Sequence, residues 1–307
     1  MLDACTIETS DVSATISPFG ARLETLVLGG RHNCVLHADP AVHPGWHDTY
    51  AGAIVGPVAN RLRAGRLVID GQPYQMPCNE NGNTLHSGPA GTDRQMWTVT
   101  CHHPARLCLR LCLGDGQLGL PGNRTVDAEY SVHGSTLRVD IWMTTDRATP
   151  AAFAHHPYWR LGDASAHRLQ VEAAHYLPVD ALNLPTGAIC PVAGTAFDHR
   201  TAKPPDPGID HNFCIARARR HTPTRVATLT GAHGLRLDID STEPGLQVYA
   251  GAFLPTVPGT DIKPLAGVAL EPQAWPDAFT HPGFATALCT PHRPYHQITC
   301  YRLHKAT

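Results

Sequence analysis

The sequence has no excess of one charge, no long apolar run and no short nucleotide or metal signature. Lysine and arginine number 24 against 26 aspartate and glutamate, a formal net charge of −2. Such a chain offers no surplus of positive charge to neutralise a phosphate backbone or an anionic bilayer, so neither nucleic acid nor membrane is expected as a partner. No apolar stretch approaches the ~20 residues that span a bilayer, and the opening MLDACTIETSDV lacks a basic segment followed by an apolar core. The chain reads as soluble, unexported and cytoplasmic. Its ten cysteines show no short metal-type repeat, and a chain of 307 residues does not need cross-links to hold a core, so free thiols are expected. GxxxxGK, GxSxG and HExxH are all missing, and GDGQLG at 114–119, which has GxGxxG spacing, is followed by Pro121 and Gly122 and opens no helix, so the usual nucleotide-binding, serine hydrolase and zinc protease readings have no support.

Helical periodicity is also scarce. The 27 glycines and 27 prolines are spread throughout, and no uninterrupted stretch carries an apolar period over three or four turns. What is present is strand chemistry. RLCLRLCL at 106–113, TLRVDIWM at 136–143 and LRLDID at 235–240 follow the two-residue alternation of a half-buried strand. In RLVIDGQPYQM the Asp70-Gly71 pair supplies the chemistry of a tight turn with positive backbone angles, which predicts a hairpin over 66–76. A hydrophobic share of 42% against 16% charged residues provides ample material for a core and excludes wholesale disorder. Many short strands separated by turns, with no repeat and no low-complexity linker, predict one all-β sandwich domain over 1–307 with little helix.

Twenty histidines are the compositional oddity. With reference pKa values of about 6.5, half would be protonated at that pH, moving the formal charge from −2 to roughly +8, so solubility is expected to depend on pH. They are scattered from His32 to His304, as surface residues would be. His43 and His47 have the spacing of two ligands on one helical face, but Pro44 and Gly45 between them argue against a helix. His102-His103 and His155-His156 would point to opposite faces of a strand. No metal site is expected.

Five segments set polar groups in apolar or Gly/Pro-rich surroundings: VANR at 58–61, NTLHSG at 83–88, AHHPYW at 154–159, GIDHNF at 208–213 and ALEPQ at 269–273. Each has a bland explanation. Arg61 could pair with a surface carboxylate, His86 and His156 could be core histidines bonded to backbone, and Asp210 could stabilise a turn. Glu271 is the exception, because it interrupts the apolar run AGVAL, and a buried carboxylate is costly unless paired or functional.

Together these segments resemble one family, the aldose 1-epimerases of the galactose mutarotase type. The resemblance runs in order from about Gly52 to Leu303, through GAIVGPVANRLRAGRLVIDGQPYQM, NGNTLHSG, DGQLGLPGN, HHPYWRL, LPTGAICPVAGTAFD, GIDHNF, PGLQVYAG and LEPQAWPDAF. It implies a large antiparallel β-sandwich. By motif it implies Glu271 as general base, His156 as general acid and His86 as a second histidine beside the sugar ring. Arg61 and Asp210 would bind sugar hydroxyls, with Asn60, Gln273 and Tyr158 as further candidates. The chain departs from the family at Ser87, where LHGG is common, and at His155 and Arg160, where neutral asparagines are common. The two latter changes bear on the pKa of the acid and on substrate identity.

Interconverting anomers requires opening the hemiacetal, rotating about the bond beside the anomeric carbon, and closing the ring from the other face. An ionised Glu271 would accept the anomeric proton while a protonated His156 donates to the ring oxygen. The pair ends each turnover as it began, so no cofactor is required. To stay charged, His156 should sit in an ion pair and not in dry burial. Trp159 and Trp275 are candidates to face the sugar, with core packing the plainer fate of both. The expected substrate is a monosaccharide, a hexose such as galactose or glucose, and the chain a monomer or homodimer. A hexose phosphate epimerase, using arginines such as Arg63, Arg66 or Arg160, a glycoside hydrolase and a non-catalytic sugar-binding module are the alternatives.

Overall fold

The computed structural model describes residues 4–285 and 287–305; residues 1–3, 286 and 306–307 of the expected 1–307 domain lie outside the described residues. Its backbone is almost entirely strand and turn, with 7% of residues helical. Every described helix is a short 3-10 turn.

Eight strands form the larger antiparallel sheet, in the order Thr98–His103, Arg106–Leu113, Arg124–His133, Thr136–Thr145, Tyr295–His304, Arg236–Ser241, Thr224–Thr230 and Arg168–Val171. The alternation read from the sequence is realised in them: Leu107, Leu109, Leu111 and Leu113 are buried while Arg106 and Arg110 face solvent. A one-residue slip in register would exchange the two sets, so the leucines hold the pairing in place. A four-stranded sheet of Cys5–Glu8, Val12–Ser17, Arg22–Leu28 and His32–Asn33 precedes it in the chain. The expected hairpin is Arg66–Ile69 paired with Gln72–Gln75, and Asp70 and Gly71 take φ values of 49° and 76° at its turn.

Six strands form the sheet that carries the site, in the order Tyr158–Trp159, Val268–Gln273, Gly245–Tyr249, Asp210–Cys214, His175–Tyr176 and Cys190–Pro191. Along these strands Trp159, Val268, Leu270, Leu246, Val248 and Phe213 join the same buried cluster as Leu107, Val126, Val139 and Ile141 of the larger sheet. That shared core makes the two sheets a sandwich. With alternate residues committed to the core, Tyr158, Glu271, Gln247, Tyr249 and Asp210 are left to the opposite face.

Two expectations need correction. Pro44–Thr49 is a 3-10 helix, because proline at its first position has no N–H to satisfy and a backbone angle already suited to a helix; His43 precedes it and His47 lies within it. Cys101 and Cys108 are not free thiols: they oppose each other directly in the antiparallel pairing of two strands, Cα atoms 4.8 Å apart, and are joined by a disulfide. A spacing of seven residues could not show that, since the contact depends on where the hairpin turns. No described helix is long and apolar enough to cross a membrane.

Candidate active site

Glu271 stands directly across from Gln247 on adjacent strands, and Gln247 donates from Nε2 to Asp210 Oδ1 at 2.7 Å. Arg61 reaches the same carboxylate from a separate short ladder, Arg61–Leu62 with Thr84–Leu85, its Nη1 3.4 Å from Asp210 Oδ2. That ladder also places His86, the next residue after Leu85. The His86 backbone N–H donates to the Asn60 carbonyl, and the Asn60 N–H donates to His86 Nδ1 at 3.1 Å. Asn60, His86 and Ser87 all hold positive φ, of 62°, 50° and 71°. Such backbone is strained for residues other than glycine and persists where surroundings over-determine it. At Ser87, the departure from LHGG, the hydroxyl bonds both backbone groups of Val58, at 2.8 and 3.2 Å.

His156 is fixed through its backbone: its N–H donates to Ala53 O and its carbonyl accepts from Gly52 N–H. Gly52 has φ 73°, and a Cβ there would lie 2.0 Å from the Leu23 carbonyl oxygen, so close packing of this segment requires glycine. The result is a cavity of about 570 Å³ whose lining includes Asn60, Arg61, His86, His156, Tyr158, Asp210 and Glu271. His156 Nε2 lies 3.4 Å from Glu271 Oε1, with both side chains almost wholly removed from solvent.

Burial governs the electrostatics. Desolvation pushes His156 down to about 4, and the positive charge of Arg22 adds to the effect. It raises Glu271 well above the ordinary carboxylate range, with Asp210 adding to the rise and Arg61 opposing it. The dry setting of His156 is the reverse of the ion-paired, charged imidazolium expected from the sequence. The two groups form a coupled pair for which burial opposes both the doubly protonated and the proton-free state, leaving one proton between Nε2 and Oε1. His86 is also held well below its ordinary value by burial, then by His156 and Arg61.

A model of the aldose 1-epimerase family matches residues 3–302. The chain belongs to the aldose 1-epimerase family. It is therefore an isomerase, and its reaction is the interconversion of the anomers of a free aldose. It is 36% identical over 273 residues to the galactose mutarotase of Homo sapiens, a match spanning 82% of this chain and 78% of that one. The aldose 1-epimerase of Escherichia coli strain K12 is 30% identical over 275 residues, covering 82% and 80%. Among solved structures, an aldose epimerase homologue from C. elegans superposes with a TM-score of 0.90 at 28% identity and 99% coverage of both chains. A galactose 1-epimerase from Lactobacillus acidophilus gives 0.85 at 27% identity, covering 98% of this chain and 94% of that one.

Seven of the eight site residues expected in this aldose 1-epimerase line the one cavity; Gln273 does not. It is fully buried two residues beyond Glu271, and neither side-chain oxygen nor nitrogen has a hydrogen-bond partner among the described residues. Gln247 takes the place the sequence reading gave it, and PGLQVYAG already contained that glutamine without marking it. Tyr50 and Glu80 were also missed. The Tyr50 ring lies 4.6 Å from the His86 ring, and Glu80 grips Arg61 through two bonds of 2.6 and 3.0 Å. Glu80 directly precedes the NGNTLHSG motif, but only the turn over Glu80 and Asn83 brings it to Arg61.

Other candidates point elsewhere. His155 turns into the core, sharing a hydrogen bond of 3.1 Å between its Nδ1 and the Tyr301 hydroxyl. Arg160 pairs with Asp261 at 2.9 Å and lines a different cavity of about 650 Å³ with His167 and Lys263. Arg63 is engaged by Asp180 and Asp277. Trp159 is fully buried against Tyr301, and Trp275 packs on Phe284 while donating to Pro244 O. None of Arg63, Arg66 and Arg160 lines the acid–base cavity.

His86, His156 and Glu271 form a group with ligand-type atoms within 4.8 Å of one another. Their hydrogen bonding does not suit a metal. A metal-bound histidine donates its other N–H outward, whereas His86 Nδ1 accepts from Asn60, which leaves the proton on Nε2. His86 therefore presents a donor N–H, suited to a sugar oxygen.

Proposed function

We propose that this aldose 1-epimerase acts on a neutral hexose such as galactose or glucose, with Glu271 as general base and His156 as general acid. The observation that carries the reading is the buried 3.4 Å approach of His156 Nε2 to Glu271 Oε1 at the wall of the cavity. The anomeric hydroxyl and the ring oxygen are attached to one carbon, so the groups that serve them must be neighbours.

Burial places the shared proton on Glu271 at rest. A sugar whose anomeric O–H donates to the carboxylate stabilises its ionised form, and the displaced proton moves to His156. Glu271 then takes the anomeric proton as His156 protonates the ring oxygen. The open aldehyde rotates, and closure from the other face reverses both transfers. Arg61, Asp210, Gln247 and the His86 Nε2–H supply the polar grip, with Asn60 and Tyr158 shaping it. Proton transfer between oxygen and nitrogen accounts for every step. The shared core of the two sheets supports one domain, and thiols outside any disulfide, among them Cys34, Cys78, Cys112 and Cys289, support a cytoplasmic setting.

Polarimetry on freshly dissolved α anomers tests the assignment. Glu271→Gln and His156→Asn are each expected to lower turnover by about 10²-fold or more while leaving sugar binding largely intact. Near-normal turnover in either variant would remove that residue from its role.

A further inference from the structure

Arg61 is the one permanent cation among the described residues lining the acid–base cavity, which also presents Asp48, Glu80, Asp210 and Glu271. Any anionic group on a sugar could find charge compensation there only. A guanidinium has five N–H donors, and its strongest mode of holding an anion is the fork of two parallel bonds. In this site Glu80 already occupies such a fork, through Nε at 2.6 Å and Nη2 at 3.0 Å. Asp210 takes a bond from Nη1 at 3.4 Å. Two N–H groups remain, one on each terminal nitrogen, but the charge they carry is already compensated by the two carboxylates.

We propose that Glu80 is the residue that sets the charge specificity of the site: by pairing with Arg61 it leaves the cavity without an uncompensated cation, admits neutral aldoses and turns away sugars that carry a carboxylate or phosphate. Glu80 acts through Arg61 and is a positioning residue. The proposal rests on the aldose 1-epimerase reading and adds what that reading leaves open, namely which side chain discriminates against charge. Two carboxylates flank one guanidinium, so the local charge is negative even with Arg61 ionised. Field strength also favours the effect, because Arg61 is mostly buried and Glu80 only partly exposed, which weakens screening by water.

The test measures how D-galacturonate and its neutral methyl ester each inhibit mutarotation of D-galactose. Wild-type protein is expected to bind the ester about tenfold or more tightly than the free acid at neutral pH. In Glu80→Gln that gap should shrink by about tenfold, while the KM for galactose rises more than kcat falls. The preference of wild-type protein for the ester needs no substitution, which keeps the proposal testable should the variant fail to fold. Equal inhibition by acid and ester in wild-type protein, or a gap that Glu80→Gln leaves unchanged, overturns the role of Glu80. A wild-type protein that does not accelerate galactose mutarotation at all would instead overturn the substrate reading.

Discussion

His156, in the link between two short strands, and Glu271, within the strand Val268–Gln273, meet at 3.4 Å, each nearly sealed from water. At that distance neither titrates alone. A pair holding one proton can catalyse, and a pair holding two or none cannot, so activity is confined between the two macroscopic titrations.

The rate on a free sugar should therefore follow a broad bell. Burial moves the first protonation of His156 down toward about 4, and the loss of the Glu271 proton well above the ordinary carboxylate value. The acid limb should accordingly fall below the usual histidine range and answer to His156, and the alkaline limb should answer to Glu271. This is the opposite assignment to the one expected from reference pKa values. Residual rates of His156→Asn and Glu271→Gln measured across pH decide it, with a repeat at high salt to remove contributions from distant surface histidines.

Stability should decline on acidification below about pH 6.5. Burial holds His155 at about 3 and His167 at about 4 in the folded chain, whereas both titrate near 6.5 when unfolded. The unfolded state then binds more protons between those values, so stability rises with pH across the window and is lost as pH falls through it. Each such histidine contributes a slope of up to about 1.4 kcal/mol per pH unit. Denaturant unfolding of His155→Gln, compared with wild-type protein at several pH values from 7 to 4, should show a shallower slope.

Two glycines with nearly the same backbone angle should respond differently to alanine. Gly71, with φ 76° and nothing within 4 Å of an added Cβ, meets only the cost of left-handed backbone, about 1–2 kcal/mol. Gly52 adds a collision with the Leu23 carbonyl oxygen and sits beside the His156 backbone, so Gly52→Ala should lose far more stability and displace the acid. Thermal denaturation and mutarotation assays on both variants check this.

Activity should survive exhaustive treatment with a chelator, since His86 offers Nε2–H toward the cavity and the steps need only proton transfer. Loss of activity that added zinc restores would overturn the metal-independent mechanism. Bound metal alone would not, because exposed histidines such as His32, His233 and His292 are plausible incidental ligands.

Strand alternation in RLCLRLCL and TLRVDIWM, and the Asp70-Gly71 turn, were legible in the sequence because they depend on neighbours a few residues away. The buried role of Glu271 was legible too, since a carboxylate within an apolar strand announces a cost that something must offset. Tertiary structure decided the rest. Whether Cys101 faces Cys108, whether Glu80 or a surface carboxylate holds Arg61, and whether Gln247 or Gln273 reaches the cavity all depend on register and on contacts between distant segments. The charge state of His156 depends on them most of all. A histidine's reference pKa belongs to its own side chain, but the desolvation that lowers it comes from the fold that encloses the ring and sets Glu271 beside it.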